Sequence, residues 1–172
     1  MNTNVIPLSS SELEHEIKRL QNLIDIDALQ IIIDINTDAS EFYTIAAATV
    51  ESSKLRRSFS ALFTLHQKTK ITLQRLLQKK RVSINRTSAL ITGPGTTVDI
   101  FGAALTTLSS KVDTKLITSL ENAENRCLHS LHVAADQESL SFATRKIIKQ
   151  EIRSLKTTHY FMQELKHAAQ AA

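Results

Sequence analysis

Cysteine is nearly missing from this chain of 172 residues: Cys127 is the only one, so no disulfide can close within it and no cysteine-rich zinc module is encoded. Tryptophan is absent and aromatics make up 5% of the residues, which leaves few platforms for stacking nucleic-acid bases. Glycine occurs three times and proline twice. A sandwich of short strands needs a turn about every ten residues, and this sequence has little to build such turns with. Long apolar runs are missing too. Ile31-Ile32-Ile33 is among the longest, far short of the about 20 residues that span a bilayer. Residues 1–10 lack a basic stretch followed by an apolar one, so no secretion signal is read there. The expected setting is a soluble cytoplasmic protein with no membrane partner.

Charge is also unremarkable in its balance. Twenty-one Lys and Arg stand against 17 Asp and Glu, giving a formal +4. Basic residues are spread along the chain except at Lys79-Lys80-Arg81, so no concentrated basic face points to a nucleic-acid partner. The 42% apolar and 22% charged fractions suit one folded domain rather than a disordered chain.

What the sequence does contain is helical periodicity. Gly93, Pro94, Gly95 and Gly102 cluster in the middle and Pro7 lies near the start, leaving Ser11–Thr92 and Ala103–Ala172 free of both residue types. Residues 11–24 read as a short amphipathic helix, capped by Ser10 or Ser11 with Glu14 in capping-box register. Asp25 and Asp27 can cap a longer helix to about Glu51, with Ile31, Ile35, Phe42 and Ile45 at helical spacing. Ser52-Ser53 offers a turn and a cap for the next helix, whose stripe is Leu55, Phe59, Leu62, Phe63, Leu73, Leu76 and Leu77. A polar connection over 82–97 follows, then a short helical piece at 98–109. Asp113 can cap a helix carrying Leu116, Ile117, Leu120, Leu128 and Leu131. After a turn at 136–139 the last helix carries Ile147, Ile148, Ile152, Leu155, Met162 and Leu165. The fold class expected is therefore all-α: a ferritin-like antiparallel four-helix bundle, two hairpins joined by a long crossover containing a short helix, with an extra N-terminal helix. Residues 1–27 form the tail and extra helix, and 28–168 the bundle.

Chemistry is sought where polar side chains interrupt the inward stripes. Asp38 falls between Ile35 and Phe42, His66 between Phe63 and Leu73, Glu124 between Leu120 and Leu128, and Glu151 between Ile148 and Leu155. A carboxylate turned inward needs a proton, a partner or a metal. Asp38 and His66 lie 14 residues either side of the turn at 52, and Glu124 and Glu151 are similarly placed about the turn near 137. All four are expected at a common depth. Glu121 and His159 are reserves, His159 sitting about 12 Å farther along its helix. A dinuclear carboxylate centre uses a Glu from each of two helices and Glu-x-x-His from each of the others. Here the counterparts read Phe63-x-x-His66 and Glu151-x-x-Ser154, each lacking one ligand.

On these residues the chain resembles the ferritin-like four-helix-bundle proteins of unknown function found in bacteria, distant relatives of rubrerythrin. The likeness runs over Leu29–Ala48 with Asp38 and Tyr43, Phe59–Leu77, Val98–Leu108, Leu120-Glu121-x-x-Glu124, and Glu151–His159. It implies a bundle fold and a bacterial, cytoplasmic setting, and carries no reaction with it.

Two functions follow as expectations. Asp38, His66, Glu124 and Glu151 can hold one divalent metal (iron, manganese or zinc), or they are hydrogen-bonded remnants of an ancestral site. The other is a non-catalytic helical interaction or scaffold module, with the apolar face Leu13, Ile17, Leu20, Leu23 and Ile24 gripping another copy in a homodimer. No catalytic residues are assigned. No nucleophile–base pair or dinucleotide fingerprint is present, and Thr92-Gly93-Pro94-Gly95-Thr96 lacks the Gly-Lys-Ser/Thr of a phosphate loop. Cys127 reads as a small core residue, with Arg126 beside it as the one hint of a redox role. Tyr43 and Tyr160 read as packing residues ahead of a radical or hydrogen-bonding role beside a metal, and His129 with His132 as a pair that can take up metal adventitiously.

Overall fold

The computed structural model describes residues 9–85 and 114–170. Those residues form four helices and no strand: α1 (Ser10–Thr49), α2 (Ser53–Asn85), α3 (Thr114–Ala135) and α4 (Phe142–Gln170). The helical piece expected at 98–109 and the Gly-Pro-Gly turn before it lie outside the described residues. No helix among the described residues is long and apolar enough to cross a membrane.

One correction concerns the start. The short helix over 11–24 is not a separate element: α1 is a single helix of 40 residues, about 60 Å long, and the boundary placed at 27 falls inside it. Residues 20–31 contain neither Gly nor Pro, so nothing stops the helix from propagating through Asp25 and Asp27. Its cap is Ser9 rather than Ser10 or Ser11. The Ser9 hydroxyl accepts from the Glu12 amide at 3.3 Å, and Glu12 Oε2 accepts from the Ser9 amide at 2.8 Å, a complete capping box. The far end of α2 also runs on past residue 82, to Asn85.

Ser and Thr are poor helix formers because their hydroxyls compete for backbone groups. Here they bond within the helix instead. Thr37, Ser40, Thr44 and Thr49 donate to the carbonyls of Ile33, Asn36, Ser40 and Ile45, all within 2.7–2.9 Å. The buried Ser40 is satisfied in this way without any tertiary partner.

Short turns fold the chain into two antiparallel hairpins. Val50–Ser52 joins α1 to α2, with Ser52 Oγ accepting from the Leu55 amide at 3.4 Å. Residues 136–141 join α3 to α4, where Ser141 Oγ accepts from the Thr144 amide at 3.3 Å and Arg145 Nη2 donates to the carbonyls of Gln137 and Glu138. Polar contacts set the hairpins against each other. Asp25, early in α1, meets Lys80 late in α2 and Ser141 at the start of α4. Tyr43, late in α1, meets Glu124 in the middle of α3. So α4 runs parallel to α1, and α2 and α3 run the opposite way.

One apolar cluster draws on all four helices, including Leu29, Ile32, Ile35 and Phe42 of α1, Phe59 and Leu73 of α2, Leu120 and Leu131 of α3, and Ile148 and Leu155 of α4. The inward stripe of α1 keeps Ile35 and Phe42 of the one expected, but not Ile31 or Ile45. Ile31 is 43% exposed and Ile45 46% exposed, while Leu29, Ile32, Ala39 and Ala46 face the core. The buried face is broader than the expected stripe and takes in the polar Asn36 and Tyr43.

Candidate functional site

At mid-height in the bundle four polar side chains meet, each with no exposed surface or none to speak of: Asn36 and Tyr43 from α1, His66 from α2 and Glu124 from α3. His66 Nδ1 lies 2.9 Å from Asn36 Oδ1. The Asn36 amide nitrogen donates to the Ile32 carbonyl at 2.8 Å, which fixes Oδ1 as the acceptor and puts a proton on His66 Nδ1. His66 Nε2 lies 3.3 Å from Glu124 Oε1. The Tyr43 hydroxyl donates to that same oxygen in a short hydrogen bond. One further proton belongs to the His66–Glu124 contact: it sits on the imidazole, making an ion pair, or on the carboxyl, making a neutral pair.

Packing holds the rings in place. Tyr43 stacks on His66 with centroids 5.7 Å apart and planes 21° from parallel, and Phe42 meets Tyr43 edge-on at 5.2 Å. Burial pushes the Tyr43 hydroxyl far above the usual tyrosine range, and the Glu124 charge and its hydrogen bond push it further. Tyr43 is therefore a proton donor that stays neutral. Burial likewise pushes the Cys127 thiol well up, helped by the charges of Glu124 and Asp38. A buried, protonated thiol is a small core residue and a poor nucleophile.

Of the four residues expected to share a ligand, the structure brings His66 and Glu124 together. Glu151 lies nearby in depth but turns to α2, where its Oε2 accepts from the Thr69 hydroxyl at 2.8 Å. Asp38 is half-buried, close enough to α3 for its charge to act on Cys127. Glu121 is half-buried one turn before Glu124, and the His159 side chain lies outside the described residues. Among the described residues no group of three or more His, Cys, Asp and Glu side chains is arranged to hold a metal ion. The α1 residue in contact with His66 is Asn36, two positions before Asp38.

A second buried cluster had no signal in the sequence beyond a misread one. Asp25, expected as a helix cap, is fully buried and ties three helices. It accepts from Lys80 Nζ at 2.5 Å, the Ser141 amide at 2.9 Å, the Ser141 hydroxyl at 2.5 Å and the Thr144 hydroxyl at 2.8 Å. Burial alone pushes this carboxyl up. The hydrogen bonds from Lys80, both Ser141 groups and Thr144 outweigh it and hold the group below the usual carboxylate range. The carboxylate also lies at the N-terminal end of α4, where unpaired backbone N–H groups favour negative charge.

Set against protein-family models, curated proteins and solved structures, the chain matches none of them.

Proposed function

We propose that the chain is a ferritin-like bundle acting as a non-catalytic helical protein-interaction module, in which the inner carboxylate and histidine positions have become a structural hydrogen-bonded cluster. The observation that carries this reading is the convergence of the Tyr43 hydroxyl and His66 Nε2 on a single oxygen, Glu124 Oε1. A metal bound there would have to displace both contacts. It would also have to recruit further ligands, since structural and catalytic sites use three or four protein groups. Glu151 accepts instead from the Thr69 hydroxyl of α2. The antiparallel order of neighbouring helices, and a link over 86–113 that joins opposite ends of α2 and α3, support the ferritin-like part of the reading.

Metal content tests it. Protein purified without added metal and then dialysed against manganese, iron(II) or zinc is expected to hold well under one ion per chain. His129 and His132 are both exposed, so the measurement uses a background with both changed to Gln. One ion per chain, lost in both His66→Ala and Glu124→Gln, would overturn the reading and restore a single divalent ion held from the bundle core.

A further inference from the structure

Lys and Arg are spread along the sequence, but the fold does not spread them over the surface. α2 carries nine Lys and Arg and no Asp or Glu, and α4 carries six against Glu151 and Glu164. α1 carries eight Asp and Glu against Lys18 and Arg19. The two cationic helices are neighbours. Glu151 of α4 accepts from Thr69 of α2, and farther along the same pair Ser58, Ala61, Leu62 and Leu65 line a cleft with Thr157 and Phe161. A formal +4 for the whole chain therefore hides a bundle with one basic side.

The cleft itself is almost wholly hydrocarbon, and Ala61, Thr157 and Phe161 are exposed at its mouth. Its volume is about 210 Å³, below the roughly 300–1,000 Å³ of small-molecule sites and suited to a side chain. Cations flank it. On α2, Lys54, Arg57, Ala61 and Lys68 follow at intervals of three, four and seven, which puts them on one helix face, and the stripe continues through Arg75 and Lys79. On α4, Arg153 stands one turn before Thr157. All of these cations are exposed, and no carboxylate among the described residues pairs with any of them.

We infer that this cleft takes an acidic helix of a partner protein, which seats an apolar side chain between Leu62, Leu65 and Phe161 and lays its carboxylates along the α2 stripe. This rests on reading the chain as an interaction module and specifies the partner's chemistry. From Lys54 to Lys79 the stripe is about 37 Å of one sign of charge, and carboxylates repeating every three or four residues on a helix match cations so spaced. The cleft supplies the anchor point of a helix laid in a groove, with charge at the rim and hydrocarbon at the centre. A nucleic acid would answer the charge but not the cavity, which has almost nothing to offer a base edge. An anionic bilayer is flat and would meet the flanking cations without filling the space between the two rods.

Selection against the full chain at low salt, from a displayed library of helical peptides of about 16 residues, tests the inference. Retained peptides are expected to combine Asp and Glu with a Leu, Ile or Phe anchor. Fluorescence anisotropy of the tightest should show binding weakened about 10-fold or more by Arg57→Glu with Lys68→Glu, and similarly by Ala61→Gln, which narrows the mouth. All three positions are exposed, so helical circular dichroism should be unchanged in both variants. Added salt should weaken binding to the wild type. Oligothymidylate of about 20 nucleotides and phosphatidylserine–phosphatidylcholine vesicles should bind more weakly than the peptide and ignore Ala61→Gln. An empty selection overturns the inference, as do retained peptides without acidic residues or binding untouched by either variant. Oligonucleotide or vesicles binding as tightly as the peptide would also overturn it, in favour of that anion. None of these outcomes bears on metal content, so failure of the cleft and failure of the proposed function are read separately.

Discussion

Glu124 Oε1 meets the Tyr43 hydroxyl and His66 Nε2, and the cost of removing either depends on what is left behind. Tyr43→Phe deletes a hydroxyl and keeps the ring stack on His66, so urea denaturation should show a loss of about 1–3 kcal/mol. His66→Ala should cost more, because it opens space in the core and removes a partner from both Asn36 and Glu124. The two changes should not add, and a double-mutant cycle should give a coupling of about 0.5–3 kcal/mol. Asp25 makes a prediction in pH. Its folded-state value lies below the value of about 3.9 expected unfolded, so the unfolded chain takes up the proton first as pH falls. The stabilisation is complete above about pH 3.9 and is lost as pH drops through the depressed value. Wild type should therefore outlast Asp25→Asn by a constant margin at neutral pH, and that margin should shrink below about pH 4. These residue-scale features were only partly legible in the sequence. His66 and Glu124 stood out because each breaks an apolar run on its own helix. Asn36 did not, since a helix as rich in isoleucine as α1 offers several competing stripes, and the choice among them is made by neighbouring helices. Asp25 was misread because an aspartate before an apolar run is a common helix start, and its true partners lie 55 and 116 residues away.

At the scale of elements, helix boundaries fared well wherever a cap or breaker was local. Ser52-Ser53 marks the first turn because a hydroxyl there can hold the first amides of α2. The continuity of α1 was missed because capping residues allow a helix to begin without requiring one to end. Asp27→Pro separates the two arrangements. At the start of an independent helix proline is tolerated, but inside a continuous one it removes a hydrogen bond and clashes with the preceding turn. The exposed Asp27 loses little by itself, so a drop of about 3 kcal/mol or more on Asp27→Pro, set against Asp27→Ala, would be the signature of the unbroken helix.

For the molecule as a whole, the all-α class and the two hairpins were readable from the scarcity of Gly and Pro and from short turn signals. Lateral order was not, because periodicity shows which face is apolar and not which neighbour covers it. Polar contacts supply that order here, with Asp25 linking α1 to α2 and α4, and Glu124 linking α3 to α1 and α2. A single core fed by four helices should unfold as one unit. Tyrosine fluorescence from the buried Tyr43 and helical circular dichroism should share one denaturant midpoint, and separated midpoints would mean the hairpins melt independently.

The interlocking of Asn36, Tyr43, His66 and Glu124 also limits how such an interior can change over generations. A single exchange strands neighbours that were shaped for it, whereas swapping all four for hydrocarbon side chains leaves nothing orphaned. Descendants of this chain are accordingly expected to inherit the quartet intact or to have discarded it entirely, with few half-way sequences surviving between.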